Sequence, residues 1–541
     1  MEKEKIKELI LIELKAIAKE LELEREPILI EPKTYADLTT NMAMGNKGKN
    51  PQEIAKQIIE KLEPKKEKLH LKNIEVAGPG FINFFLNDEM FVKAINEILA
   101  KNKNYGKGNK QGKINVEFVS ANPTGFLHVG HARNAAIGST ICNILEFAGY
   151  DVVREYYIND AGNQINALAE SVFARYQQIF NSDYPMPEES YKGEDIIYAA
   201  GEIYKKYADK YKGVELVGET LDLFKEDSVA IFLAKIKEHL SEFGVWFDIF
   251  FSEKSLYANN EIVLKDTIKK LKNSYQKDGA TWLKTTIHGD DKDRVLVKSD
   301  GAYTYFMPDI AYHNIKFERT GENGKLIDVW GADHSGYIKR MECAMEDLGH
   351  KKENFSVLCM QLVRLIKNGS EFKMSKRRGT SFFLKEFIDL VGKDSARFIL
   401  LDRTHNSKLD FDIDIATSKS NDNPAILVQY ANARANSLLN KANINLDELK
   451  AEKYENEKDQ KLIATLLEFP EIVIKSADKY MTNLITQYLI RLAKEFNSWY
   501  SNGEKILESN NKQSLLALVK AVSIVLQNGM KLIEISIPEK M

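Results

Sequence analysis

The sequence predicts an α/β fold: a doubly wound, Rossmann-like domain with an N-terminal α+β domain before it and a C-terminal all-α helical bundle after it. Three observations predict it. From Ile114 to about Thr380, short runs rich in β-branched and aromatic residues alternate with stretches of helical periodicity, as in βα units on a parallel sheet. From about Leu384 to Met541 the periodicity is helical, as in a bundle. Ahead of residue 110, two amphipathic helical stretches and a strand pair stand apart from both. The 541 residues suit three or four domains at ~150 residues each.

Composition narrows the class. Hydrophobic residues make up 44% and charged residues 29%, which suits a soluble globular chain. No run of 18 apolar residues occurs, so no membrane-spanning helix is expected. The opening MEKEKIKELILIELKAIAKELELERE reads as a charged amphipathic helix, not a signal peptide. Cys142, Cys343 and Cys359 are scattered without CxxC spacing, which fits free thiols in a reducing cytoplasm. The net charge of −3 announces no nucleic-acid partner in bulk, so any RNA-binding surface must be local.

In the first domain, Ile6, Leu9, Ile10, Leu14, Ile17 and Leu21 share one broad face of the opening helix. A second helix, Pro51 to about Leu62, opens with proline at a permitted first-turn position. LHLKNIEVAGPGFINFFL follows as two strands around Gly78-Pro79-Gly80. The segment 101–113, with five lysines and three glycines, reads as a solvated linker able to brush a phosphate backbone.

Ile114 to Val119 reads as a strand, Asn122-Pro123-Thr124-Gly125 as a turn, and a helix opens near His128. A strand feeding a helix N-terminus gathers backbone N–H groups that suit an anion. His128 and His131, three apart, share one face of the first turn, and Gly130 leaves no side chain to block a flat ligand. A His-x-x-His pair can ligate zinc, but no Cys or third His follows at ligand spacing. Ordinary helix-cap histidines are the other plain reading.

Asp151 to Tyr157 is the next strand, followed by a helix that Asn159, Asp160 and Asn163 could cap. Residues from about 165 to 250 are mostly amphipathic helix, an insertion between the two halves of the sheet. ATWLKTT and DRVLVKSDGAYTYF read as strands, Pro308 to His313 opens a helix, and KLIDVWGADHSGYIKRMECAMEDL is strand, turn and helix. Asp309 and Asp333 therefore fall where strands give way to helices, the ligand edge of such a sheet, although a lone Asp there commonly caps a helix. FSVLCMQLVRLI reads as one strand leading to a hairpin tip at Lys367-Asn368-Gly369. From Arg364 to Arg378 six basic residues face one acid, Glu371, in a loop whose lysines can swing onto a polyphosphate.

His128-Val129-Gly130-His131 resembles the HIGH signature of class I aminoacyl-tRNA synthetases, and Lys373-Met374-Ser375-Lys376 is similar to their KMSKS signature. The longer SANPTGFLHVGH, with GPGFINFFL, NPAILVQYANAR and the closing IPEKM, resembles the arginyl-tRNA synthetases of that class over essentially the whole chain. The resemblance implies an N-terminal domain (1–110) that touches the corner of the tRNA. It implies a catalytic domain (111–383) with a helical insertion at about 165–250, and a helical anticodon-binding domain (384–541). The implied reaction joins L-arginine and ATP into arginyl-adenylate and pyrophosphate, then moves arginine to the 3′ end of tRNA(Arg). Magnesium is expected with ATP, no protein-bound zinc, no membrane, and a cytoplasmic monomer.

Residue roles follow from the same resemblance. His128 and His131 donate to the phosphates, and Lys373 and Lys376 stabilise the leaving pyrophosphate. ATP is held by Ala121 to His131, notably Gly130, with Met374, Ser375 and the weaker candidate His334. Glu117, an acid inside the otherwise apolar VEFV, binds the guanidinium with Tyr305 and Asp309. Asn122 holds the amino-acid end, and Asp333 is counted in the same pocket. A guanidinium is a planar fork of donors, best met by carboxylates in a dry pocket. Such a pocket rejects analogues by leaving its own charges unpaired, and the insertion is too short for a large editing domain. Other adenylate formers fit less well. A cysteinyl enzyme needs a zinc-thiolate selector, pantothenate synthetase lacks the helical C-terminal half, and a noncatalytic tRNA-binding relative would carry damaged signatures. Arginyl enzymes as a group need tRNA before activating arginine and often vary in the second signature, where this chain keeps a full KMSK.

Overall fold

The computed structural model describes residues 2–32, 36–372, 382–502 and 505–541. Ile6, Ile10, Leu14 and Ile17 of the helix Glu2–Glu20 turn one stripe inward and are at most 2% exposed. They share a core with Ile54, Ile58 and Leu62 of the helix Pro51–Leu62, whose first turn is capped by the Asn50 side chain accepting from the Gln52 N–H. An antiparallel sheet in the order Leu38–Thr40, Phe81–Leu86, Leu71–Ala77 completes this domain. The turn at Gly78 and Gly80 needs positive φ, and a Cβ at Gly80 would lie 2.8 Å from Pro51.

The segment 101–113 is packed, not a free linker. Tyr105 is 3% exposed, and its hydroxyl donates to the Leu466 carbonyl. The Asn528 amide donates to the carbonyls of Asn102 at 3.0 Å and Tyr105 at 3.1 Å. A Cβ at Gly106 would come 2.5 Å from the Phe469 ring, and one at Gly108 2.5 Å from the Ala148 carbonyl oxygen. Gly106 and Gly108 are there for close approach. Gly106 also sits at φ +89°. Gly106→Ala is therefore expected to destabilise by ~1–3 kcal/mol, read as a lower urea midpoint at unchanged slope.

The central sheet has five parallel strands in the spatial order Phe355–Met360, Lys325–Gly331, Lys113–Glu117, Asp151–Ile158, Ile249–Ser252. This is the doubly wound order, with its reversal between Lys113–Glu117 and Lys325–Gly331. Both strands are covered on two faces, so Ile114, Val116, Ile327 and Val329 are at most 4% exposed. The helix Val129–Ala148 follows the central strand. The insertion contributes Asn163–Gln178, Glu194–Tyr207 and Glu219–Glu242, packed around Phe173, Phe224 and Phe232.

Three strand readings are corrected. ATWLKTT and DRVLV do not join the parallel sheet. Ala280–Leu283 pairs antiparallel with Ser274–Lys277 and with Arg294–Val297, as the short connections between them require. FSVLCMQLVRLI is two strands. Phe355–Met360 belongs to the central sheet, whereas Val363–Lys367 starts a small sheet with Ser370–Glu371 and Leu409–Asp412. The chain changes sheet at Gln361-Leu362, where Leu362 is 82% exposed. The region after Leu384 is not wholly helical either, since Leu409–Asp412 runs parallel to Val363–Lys367. Four residues, with Leu409 and Phe411 inward, are too few to register in a helical window. The hairpin tip at Asn368-Gly369 forms as expected, with φ of +51° and +70°.

The bundle comprises Pro424–Ala442, Glu457–Leu467, Phe469–Lys479, Asn483–Asn502 and Lys512–Leu532. The last is long and apolar enough to cross a membrane by length and composition, yet 83% of its most apolar window is buried as the bundle's core. Arg397, fully buried, donates to the carbonyls of Ile533 and Phe243 and to the hydroxyls of Ser139 and Thr140. One guanidinium thereby ties the chain's end, the insertion's exit and the helix Val129–Ala148. All three cysteines are free.

Candidate active site

The site lies at the carboxyl edge of the central sheet, at its switch point. Past Glu117 the chain enters a strained turn, with Val119 and Ser120 at φ +67° and +40°. A β-branched residue avoids that region, and neighbours must hold it there. The Val119 N–H donates to Asn134 Oδ1 at 2.7 Å, and Asn134 Nδ2 donates to the Val329 carbonyl at 2.9 Å. One asparagine thus bridges the two strands of the switch point. Ser120 Oγ donates to Glu117 Oε1 at 2.9 Å and accepts from the Tyr157 N–H at 3.1 Å.

The helix Val129–Ala148 starts at the expected place. The His128 N–H donates to Nδ1 of His131 at 3.3 Å, which leaves Nε2 as the nitrogen that carries the His131 proton. The ring centroids lie 4.0 Å apart. Burial lowers the pKa of both imidazoles, and burial with the His128 neighbour brings His131 down to about 4. Near neutral pH the pair is therefore a set of uncharged donors at a helix N-terminus. A Cβ at Gly130 would sit 3.1 Å from His128 Nδ1.

The shift fixes a sign. From pH 6.5 down to about 4, the unfolded chain binds a proton that folded His131 refuses, so stability falls as pH falls through that window. His131→Asn should flatten this acid limb, by up to about 3 kcal/mol in urea titrations across the window.

A cavity of about 740 Å³ opens in front of the histidines, with Asn122, Thr124, His128 and His131 on one wall and Tyr191, Lys192 and Asp195 of the insertion opposite. Asp195 Oδ2 accepts from the Phe126 N–H at 3.3 Å, and a Cβ at Gly125 would lie 2.4 Å from that oxygen. The Phe126 ring packs among Tyr198, Phe232, His239 and Phe383 at 5.4 to 5.9 Å. The insertion residues were not singled out from the sequence, and nothing in their spacing marks them.

Beside the turn lies an acidic pocket. Glu117 is 8% exposed and holds Lys316 Nζ at 2.6 Å; the same ammonium reaches Asp328 at 2.7 Å. His313 Nε2 lies 2.6 Å from Asp328, and its Nδ1 2.7 Å from the Asp309 carbonyl oxygen. Glu117, His313 and Asp328 bring ligand-type atoms within 4.8 Å of one another, but Lys316 Nζ already pairs with two of the three, Glu117 and Asp328. Asp309, on the first turn of the helix Phe306–Thr320, accepts from the Tyr337 hydroxyl at 2.6 Å. Burial, with Glu117 nearby, raises its pKa, and among the described residues it has no salt bridge. Glu253 continues the acidic wall, and its pKa is also raised by burial, with Asp309 and Asp160 adding to it.

Two groups of expected residues stand elsewhere. Asn159, Asp160 and Asn163 do not cap the helix Asn163–Gln178, which starts from Gly162 with no side-chain cap. Asp160 accepts from Ser252 Oγ at 2.6 Å and from the Lys254 N–H at 3.0 Å, and the Asn159 amide reaches Glu253 at 3.0 Å. Asp333 and His334 are exposed and lie 3.4 Å from each other at the end of Lys325–Gly331. Tyr305 is 91% exposed, one turn before Asp309, and the exposed Asn122 donates to Gln164 at 2.7 Å. Lys373, Met374, Ser375 and Lys376 lie outside the described residues. Sequence reasoning missed Lys316, Asp328, His313 and Tyr337; a lysine and a histidine on the inner face of an amphipathic helix were the available signal.

Comparison with known proteins adds to this geometry. Three family models match: "Arginyl tRNA synthetase N terminal domain" over residues 4–86, "tRNA synthetases class I (R), catalytic domain" over 94–418, and "DALR anticodon binding domain" over 428–541. Arginine–tRNA ligase of Metamycoplasma arthritidis is 49% identical, with 99% of each chain covered. That of Bacillus licheniformis is 44% identical over 100% of this chain and 98% of the relative. Among solved structures, one described as an arginyl-tRNA synthetase of Campylobacter jejuni is 32% identical, with a TM-score of 0.78 over 84% of this chain and 100% of that one. Thermus thermophilus arginyl-tRNA synthetase shares the fold at a TM-score of 0.72 and 21% identity, over 99% of this chain and 100% of that one.

Proposed function

The chain belongs to the arginyl-tRNA synthetase family, and from that premise we propose how its cleft does the work. The protein is an arginine–tRNA ligase: it activates L-arginine with ATP, releasing pyrophosphate, and transfers arginine to the 3′ end of tRNA(Arg). The observation that carries the site reading is the pairing of an acidic pocket with a neutral histidine pair across one strained turn.

Arginine's guanidinium enters the acidic pocket. Lys316 and Ser120 already hold both Glu117 oxygens, so Glu117 is fixed in direction and partly neutralised. Asp309 has a bound hydroxyl and, among the described residues, no salt-bridge partner, and it supplies the larger share of the missing charge. Tyr305 folds over the guanidinium, Asn122 holds the amino-acid end, and Asp333 and His334 lie at the rim. The α-carboxylate then attacks the α-phosphate of ATP. This step is mostly positioning and charge stabilisation, with no enzyme nucleophile. Nε2–H of His131 and the His128 ring donate as charge moves onto the bridging oxygen, and the helix N-terminus adds its partial positive charge. Lys373, Met374, Ser375 and Lys376 attend the leaving pyrophosphate, with Gly130 leaving room for the nucleotide. Magnesium would be carried by ATP and would supply charge neutralisation of the phosphates; in the protein's own cluster of ligand-type atoms, Glu117 and Asp328 are already paired with Lys316. Residues 1–110 meet the tRNA corner and 384–541 the anticodon, in a monomer working in the cytoplasm.

Arginine-dependent ATP–pyrophosphate exchange, with and without tRNA(Arg), tests this. The expected result is exchange with arginine and tRNA, and none with citrulline, whose neutral ureido group leaves Asp309 unpaired. Exchange with citrulline at a rate close to that with arginine would remove the acidic pocket from the account.

A further inference from the structure

Arg133 stands two residues past His131, is 1% exposed, and among the described residues directs its hydrogen bonds to backbone carbonyls outside the acidic pocket. Its Nη1 donates to the carbonyls of Gln361 at 2.9 Å and Ser407 at 2.8 Å, and its Nη2 to that of Thr404 at 3.0 Å. Gln361 is where the chain leaves the central sheet for the small one, just before Val363–Lys367. Thr404 and Ser407 form the approach to Leu409–Asp412, the parallel partner of that strand. One guanidinium therefore grips the two parallel strands of the small sheet at their entry. A second link lies on the other side. The Val129 N–H donates to the Phe382 carbonyl at 2.8 Å, and the Leu384 N–H to the Leu127 carbonyl at 2.7 Å. The residues just after 381 are thus fastened to Leu127 and Val129, where the helix Val129–Ala148 begins.

We infer that Arg133 is a positioning residue for adenylate formation, setting the register between His131 and the strand that leads to Lys373. The inference rests on the roles proposed above for His131 and Lys373. The chemistry of the residue supports it. Three backbone carbonyls shared by Nη1 and Nη2 suit a rigid fork of donors, which an ammonium does not supply. Burial among neutral acceptors brings the Arg133 pKa down to about 10, so the group stays charged at neutral pH. A displacement of about 1 Å between reacting groups can cost about 100-fold in rate. The arginine pocket, built on Glu117 and on Asp309 of another helix, is not touched by the clamp.

The test is Arg133→Lys in the full-length enzyme, assayed by ATP–pyrophosphate exchange with tRNA(Arg). The expected result is a kcat about 10–100-fold lower with the arginine KM within about twofold, because only transition-state alignment is lost. Arg397→Lys is the comparison. It loosens another buried guanidinium, which sits on the helix Lys393–Leu401, bonds to Ser139 and Thr140 of the helix Val129–Ala148, and makes no bond to the small sheet among the described residues. It should lower the unfolding midpoint comparably and leave kcat within about twofold. If the lysine variant does not fold, Arg133→Gln retains two in-plane donors and should show the same split. Equal kcat for Arg133→Lys and Arg397→Lys, or an arginine KM that rises in step, would overturn the inference. His131→Asn, run alongside, separates the two layers. If it leaves kcat intact, the site reading fails; if it lowers kcat and Arg133→Lys does not, only the clamp fails.

Discussion

Asp309→Asn is expected to lower kcat/KM for arginine by about three orders of magnitude while raising the thermal unfolding midpoint. The two halves of that result come from one fact. Burial raises the pKa of Asp309, and Glu117 adds to it. An acid whose folded pKa lies above its unfolded value costs stability once pH exceeds the unfolded value, and the cost grows as pH rises. Asparagine keeps an oxygen for the Tyr337 hydroxyl and removes that cost. In the proposed pocket, however, the guanidinium would lose the Asp309 carboxylate, which makes no salt bridge among the described residues, and a buried cation left so costs several kcal/mol. Exchange kinetics and a melting curve on one preparation decide it. A midpoint that falls together with activity would make Asp309 an architectural residue.

Lys316→Met should give the largest loss of stability of any single substitution in the catalytic domain, ~3–5 kcal/mol in urea unfolding at neutral pH. Lys316 is fully buried, 2.6 Å from Glu117 and 2.7 Å from Asp328. Burial alone pulls its pKa down, but Asp328 and Glu117 more than offset this and the net shift is upward. A base with a raised folded pKa contributes stability fully below its unfolded value of 10.5 and loses it only at higher pH, so the whole effect is present at pH 7. Methionine fills the space and leaves two buried carboxylates facing each other. Asp328→Asn added to Lys316→Met should recover part of the loss. No recovery in the double variant would show that packing, not charge, holds the position.

Much of the fold was legible because its signals are local. The stripe of Ile6, Ile10, Leu14 and Ile17, the proline opening Pro51–Leu62 and the glycine turn between Leu71–Ala77 and Phe81–Leu86 each depend on neighbours within a few residues. The strand-turn-helix from Lys113 to Ala148 was legible for the same reason. What escaped was decided at long range. The change of sheet at Gln361 is made by a guanidinium 228 residues away, and no window contains both. The strand Leu409–Asp412 exists only because Val363–Lys367 offers it an edge. In the candidate site, the sequence singled out Glu117, Asp309 and the histidine pair, but the partner of Glu117 was not legible. Its direction is set by Lys316, 199 positions later, and a lysine on a helix reads as solvated until the fold buries it. Asn159 and Asp160 show the converse. Their residue types suit a helix cap, and tertiary partners on Ile249–Ser252 and the turn after it claimed them instead.

The packed segment 101–113 sets a timetable for synthesis. Tyr105 leaves the ribosome early, yet the amide that satisfies its carbonyl belongs to Asn528, 423 residues later. At about 5–20 residues per second, that partner follows about 20–80 s behind. During that interval the Tyr105 ring and the groove shaped by Gly106 and Gly108 face a cell without Phe469 and the bundle's last helix to cover them. The catalytic sheet can form on the nascent chain, but its seam with the bundle closes only at chain release. A chain stopped anywhere before Lys512 would keep that seam open, as a natural substrate for chaperones and proteases.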